Sequence, residues 1–112
     1  MKYMMMFANP DSDTPPDMDA WGAYIGSIMQ AGIAVASHGL HDRHSATTVR
    51  MRDGKRLVED GPFADSKEQI GGYFVIDVDD LDAALDWAAK CPSALTGSVE
   101  VRPVMFSPMD GD

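Results

Sequence analysis

Apolar residues of both parities fill Tyr3 to Ala8 and Tyr73 to Val78. That doubled pattern predicts two strands near the middle of a sheet with both faces covered. In the first strand Tyr3, Met5 and Phe7 point one way, and Met4, Met6 and Ala8 the other. Asn9 to Asp17, with three prolines and three acids, reads as a loop. A helix begins near Asp17, carries Met18, Trp21, Ile25, Ile28 and Met29 on one face, and ends at Gly32. Ile33 to Ser37 is a second strand. Ala46 to Arg52 and Lys55 to Glu59 flank Asp53-Gly54, a two-residue signal for a type I′ hairpin. After Gly71-Gly72 and the strand Tyr73 to Val78, Asp79 and Asp80 cap a second helix with the inner face Leu81, Ala84, Leu85 and Ala88. Lys90 suits its C-terminal dipole and Pro92 stops it. The last strand is Val99 to Met105, with Pro103 favouring a sheet edge or a bulge.

The resulting order is strand, helix, strand, hairpin, strand, helix, strand. It predicts an α+β, ferredoxin-like βαβ-βαβ sandwich with an inserted β-hairpin. Both helices lie on one face of such a sheet, so the opposite face needs a cover. A second copy of the chain supplies it in a homodimer, sheet facing sheet, that closes an α+β barrel across the two-fold axis. Met5 and Phe7 are assigned to that interface. The alternative is a monomer whose hairpin folds back over the open face.

Length and charge narrow the function classes. A chain of 112 residues makes one domain over residues 1–112. Its net charge of −9 and isoelectric point near 4.5 argue against nucleic-acid binding, which needs clustered Lys and Arg. The apolar run at Tyr3 to Ala8 is too short for a secretion signal or a membrane span. Cys91 is the single cysteine, which excludes an intrachain disulfide and a cysteine-based zinc site, and suits the cytoplasm. Nine methionines point to an adaptable interface. The tail from residue 107, ending in Asp110 to Asp112, is expected to fray.

Candidate chemistry gathers at Asp60-Gly61-Pro62, a chain-reversing sequence that holds a carboxylate on a stiff turn. His38 ends the second strand and Asp60 follows the hairpin that leaves it. The two are a candidate catalytic pair, in which the carboxylate fixes the imidazole tautomer while the ring moves a proton. The other reading makes Asp60 a turn residue and His38 a packed or solvated side chain. Trp21 and Tyr73 are either the aromatic wall of a ligand pocket or core residues. Lys67 is either an anchor for an anionic ligand group or an exposed loop lysine. His38, His41 and His44 recur at intervals of three beside Asp42, but on a strand that spacing alternates faces, so no metal is expected. Cys91 sits at a helix C-terminus, where the dipole disfavours a thiolate nucleophile. No phosphate loop or dinucleotide fingerprint is present, because Gly71-Gly72 precedes a strand, and no cofactor is expected.

Asp60-Gly61-Pro62-Phe63, followed by Lys67-Glu68-Gln69-Ile70-Gly71-Gly72-Tyr73, resembles the YCII-related family, in the subgroup named for its DGPF motif. Ser37 to Leu40, the turn at Arg52 to Lys55, Asp79 to Pro92 and Gly97 to Val104 agree with it. The resemblance implies the ferredoxin-like fold and the dimeric barrel. For function it implies three possibilities: a small-molecule-binding domain, a small enzyme, or a regulatory protein partner linked to sigma-factor systems. Relatives with a proposed site combine a His on the first helix with an acid near the end of the second. Here the helix from Asp17 to Ala31 has no His, and Cys91-Pro92-Ser93 stands where that acid would be. Asp60 and His38 remain as this chain's own candidates.

Overall fold

Strict alternation along the central strands sorts the molecule into layers. The computed structural model describes residues 1–10, 14–61 and 68–106. Its elements in chain order are β1 (Lys2–Pro10), α1 (Met18–Ala31), β2 (Ala34–Gly39), β3 (Thr47–Arg52), β4 (Lys55–Asp60), β5 (Glu68–Asp77), α2 (Leu81–Lys90), α3 (Ser93–Thr96) and β6 (Ser98–Pro103). A 3-10 turn, Arg43–Ser45, links β2 to β3. Four strands form one antiparallel sheet in the order β2-β5-β1-β6, and β3 and β4 pair separately. With the β3–β4 pair set aside, that order and the two long crossover helices are the ferredoxin-like arrangement. Pro103 ends an edge strand, where a missing N–H costs no ladder bond.

The core lies between one face of the sheet and the helices. Tyr3 and Met5 of β1 and Phe74 and Ile76 of β5 meet Tyr24 and Ile28 of α1 and Ala84 and Ala88 of α2. Met5 is 1% exposed. Phe7 packs against Trp21 at 4.8 Å between ring centroids, and against Phe74 at 5.7 Å. Met5 and Phe7 therefore face the helices, and the expected assignment to the open face is corrected. The pattern of β1 alone could not choose, because both parities are apolar. The aromatic face of α1 decided it. Met4, Met6 and Ala8 occupy the open face instead.

Each helix turns only part of its expected face inward: Trp21 and Ile28 of α1, and Ala84 and Ala88 of α2. On α1 the inward residues are Trp21, Tyr24 and Ile28, leaving Met18, Ile25 and Met29 exposed. Tyr24 reaches the interior because its hydroxyl donates to the Trp87 carbonyl at 2.9 Å, which satisfies its one polar atom. On α2, Ala84 and Ala88 let the backbone sit close to the sheet, and Leu81 and Leu85 fall on the exposed flank. The caps follow sequence chemistry: Asp17 accepts from the Ala20 N–H, Asp80 from the Ala83 N–H, and Gly32 takes the left-handed conformation after α1.

α3 is an element that Pro92 concealed, since a proline that stops one helix also suits the start of the next turn. Buried Ser93 accepts from Asn9 Nδ2 at 2.8 Å, and Thr96 donates to Asn9 Oδ1 at 2.6 Å, fastening α3 to β1. β5 also starts earlier than expected, at Glu68, so Gly71-Gly72 lies inside the strand. The pairing with β1 shifts register between Phe7 and Ala8. A Cβ at Gly72 would stand 2.5 Å from the His38 carbonyl and closer still to the tip of the Phe7 ring. No larger residue fits between β1 and β2 at that point. The expected tail from residue 107 lies outside the described residues.

Burial also sets two acidities. It pushes the Cys91 thiol up, against opposing hydrogen bonds from Ser93 and the Ala94 backbone. It pushes the Tyr24 phenol up further, with Cys91 adding to the effect.

Gly72→Ala is expected to cost about 2 kcal/mol or more through overpacking, a melting temperature lower by about 8 °C. Gly22→Ala, in open space on α1, is expected to gain about 0.5–1 kcal/mol. Thermal unfolding of the two variants checks both. Met5→Glu should unfold the chain, because it buries a charge without a partner, whereas Met6→Glu on the open face should keep the far-ultraviolet circular dichroism of the wild type. A group whose pKa is raised by folding holds its proton more tightly when folded. Stability is then complete below the unfolded thiol's pKa of about 8.5 and falls as pH rises through and above it. Melting temperatures measured from pH 7 to 9.5 should show that fall, and Cys91→Ala should flatten it.

Candidate functional site

β2 and β5 run antiparallel with His38 directly opposite Tyr73. Directly opposed residues share a face, and Tyr73 alternates with the buried Phe74, so both side chains stand on the open side of the sheet. His38 Nδ1 and the Tyr73 phenol oxygen are 2.7 Å apart. In one tautomer the phenol O–H donates to Nδ1 and Nε2–H faces outward as a donor; in the other Nδ1–H donates to the phenol oxygen and Nε2 faces outward as an acceptor. The pair thus presents either hydrogen-bonding polarity to a molecule on the open face. It is also a short path for a proton.

The register extends the row across the sheet. Tyr73 pairs with Met6, and Met6 with Glu100, whose carboxylate holds Arg102 Nε at 3.3 Å. The next row is Ala36, Val75, Met4 and Arg102. The open face is therefore a half-buried apolar floor with polar groups along two margins. Met4, Met6, Val75 and Glu100 were absent from the sequence-derived site. The parity of Met4 and Met6 was readable, but their neighbours across the sheet needed the register.

Asp60 ends β4, opposite Thr47, in the separate two-stranded sheet. No hydrogen bond or ion pair joins it to His38 among the described residues. The chain leaves β4 at Gly61, whose φ of +106° favours glycine. Its N–H donates to the Ala46 carbonyl at 2.8 Å, and its carbonyl accepts from the Thr48 hydroxyl at 2.7 Å. Pro62, Phe63 and Lys67 lie outside the described residues. Trp21 belongs to the aromatic cluster under the helices, on the opposite side of the sheet from Tyr73. The structure thus brings together His38 and Tyr73, and leaves Asp60 and Trp21 on other surfaces.

His41 lies in the connection after β2 and His44 in the 3-10 turn, where the Asp42 carboxylate accepts the His44 N–H at 2.9 Å. Among the described residues no three His, Cys, Asp or Glu side chains converge on a point that one metal ion could fill. No helix among them is long and apolar enough to cross a membrane.

The chain superimposes with a TM-score of 0.57 and 11% identity on 5-chloro-2-hydroxyhydroquinone dehydrochlorinase from Burkholderia phenoliruptrix AC1100, solved with 2,5-dihydroxybenzoquinone, covering 97% of this chain and 98% of the other. At that identity the likeness is one of fold. An uncharacterized protein of Rhizobium meliloti (strain 1021) is 48% identical over 62 residues, which are 54% of this chain. The matched stretch spans 50% of that relative's own length. Residues 1–108 match the YCII-related domain, and the chain belongs to that family.

Proposed function

We propose that the protein is a small-molecule-binding domain whose site is the open sheet face beside His38 and Tyr73, and that it works as a homodimer. The observation that carries this reading is the 2.7 Å contact between His38 Nδ1 and the Tyr73 hydroxyl, set at the margin of an apolar floor. Ligand sites combine apolar area with a few placed polar groups, and this face has both. Its ligand is then a compact molecule with a flat apolar body and a hydroxyl or carbonyl on one edge, able to meet Nε2 of His38 or the Tyr73 oxygen. If the domain has chemistry of its own, the same pair supplies it as general acid or base, and no metal is called for. A second copy laid sheet to sheet would enclose the ligand and exclude water, as in the α+β barrel expected from the sequence. The motif around Asp60 and Gly61 supports placing the chain in the DGPF subgroup, and Asp60 then serves the turn instead of the ligand.

A first ligand to try is 2,5-dihydroxybenzoquinone, the molecule held by the structural neighbour, because it is flat and carries both hydroxyls and carbonyls. Calorimetric titration and thermal shift should show binding to the wild type. His38→Ala and Tyr73→Phe should each weaken it about tenfold, the loss of one or two hydrogen bonds, with unfolding temperatures near the wild type. Asp60→Asn should bind normally. Equal affinity in His38→Ala, Tyr73→Phe and wild type would refute the site, as would loss of binding in Asp60→Asn alone. Light scattering should give a dimer mass for the wild type, and Met6→Glu should weaken that self-association about tenfold or more.

A further inference from the structure

The β3–β4 pair stands away from the rest of the fold. Its turn is type I′, with φ of 52° at Asp53 and 74° at Gly54. All twelve residues of the two strands are at least partly exposed. The radius of gyration is 15.9 Å, against about 13 Å for a compact chain of this length. An isolated two-stranded ribbon is only marginally stable in water, so an arm of this kind calls for a cover.

The arm has one apolar face. Val49 pairs with Val58 and Met51 with Arg56, and Val49, Met51 and Val58 are 58%, 58% and 55% exposed. It is also the basic part of an acidic molecule. Thr47–Asp60 carries four of the nine Lys and Arg residues and three of the eighteen Asp and Glu residues, a net +1, which leaves −10 on the remainder. Arg52, Lys55 and Arg56 cluster at its tip, all exposed.

A matching surface exists on α2. Leu81, Leu85 and Ala89 follow one another at intervals of four on its exposed side, and Asp82 and Asp86 flank them, also exposed. An apolar strip bordered by acids is the complement of an apolar ribbon tipped with bases. Within one chain both surfaces stay exposed, so neither covers the other.

We propose that the β3–β4 arm docks on the α2 face of a second copy of this chain. Two-fold symmetry makes the contact reciprocal, each copy giving an arm and receiving one. Six residues per strand give an arm about 20 Å long, enough to lie along α2. Reciprocity doubles the area that one such contact would bury, and charge complementarity sets the direction of docking. This goes beyond the sheet-to-sheet pairing proposed above and uses none of its residues, so the two contacts fail separately.

The test is zero-length carbodiimide cross-linking of an equal mixture of nitrogen-14 and nitrogen-15 labelled full-length protein. Lys55 should join to Asp82 or Asp86 in peptide pairs of mixed isotope. Absence of these pairs, or pairs of matched isotope only, would overturn the proposal. In sedimentation, Arg52→Glu with Arg56→Glu should weaken self-association about tenfold or more, and adding Asp82→Lys with Asp86→Lys in the same chain should restore it. Self-association unchanged by the arm substitutions, or not restored by the α2 substitutions, would also overturn it. Met6→Glu reports on the sheet face instead and should leave the Lys55 cross-links wherever a dimer persists.

Discussion

Gly72 is the point at which three strands are brought into register. With hydrogen in place of a side chain, β5 lets the Phe7 ring of β1 and the backbone of β2 close on it from two sides. Phe7 can then turn under the helices to meet Trp21, and the next residue along β5, Tyr73, stands opposite His38. One close approach thus links the aromatic core on one face of the sheet to the polar pair on the other. The shift in register between Phe7 and Ala8 absorbs the extra residue, Gly71, that this approach leaves in β5.

The two faces of that sheet differ in what they present. Beneath the helices, Tyr3, Met5, Phe74 and Ile76 meet aromatics and alanines, and the Tyr24 hydroxyl is paired with the Trp87 carbonyl and Ser93 with Asn9. On the other side the same strands present methionine, valine, tyrosine, histidine and glutamate in rows set by the register. The helical side is filled by tilted, stacked and edge-to-face ring contacts among Phe7, Trp21, Tyr24 and Phe74. The open side has apolar floor and polar margin, the combination by which small molecules are held. His38 and Tyr73 meet there at 2.7 Å, on strands and not on the helices.

Charge is as unevenly placed as apolar surface. The body is strongly acidic, whereas the β3–β4 arm gathers basic residues at its tip and leaves valine and methionine exposed behind them. Such a distribution favours contacts between unlike parts of two molecules over contacts between like parts, because acidic bodies repel each other. The exposed leucines of α2 beside Asp82 and Asp86 gain a meaning there that packing within one chain does not give them.

Local chemistry was readable in the chain itself. Asp17, Gly32 and Asp80 cap where their side chains or φ preferences place them, Asp53-Gly54 turns the hairpin, and the apolar runs of β1 and β5 mark the middle of the sheet. Each of these depends on residues within a few positions of one another. The choice between the two faces of β1 did not, because both parities are apolar and only the aromatic face of α1 selects Met5 and Phe7. The inward face of each helix was only partly readable from its period: Trp21 and Ile28 were on the expected face of α1, but Tyr24, not Met18, Ile25 or Met29, joins them, through a bond to a carbonyl 63 residues away. His38 and Tyr73 were each visible as candidates, yet their meeting rests on strand register across 35 residues. Asp60, close to His38 along the chain, was carried into another sheet by the hairpin between them. Sequence separation reports on backbone chemistry, and only the pairing of distant strands decides which side chains share a surface.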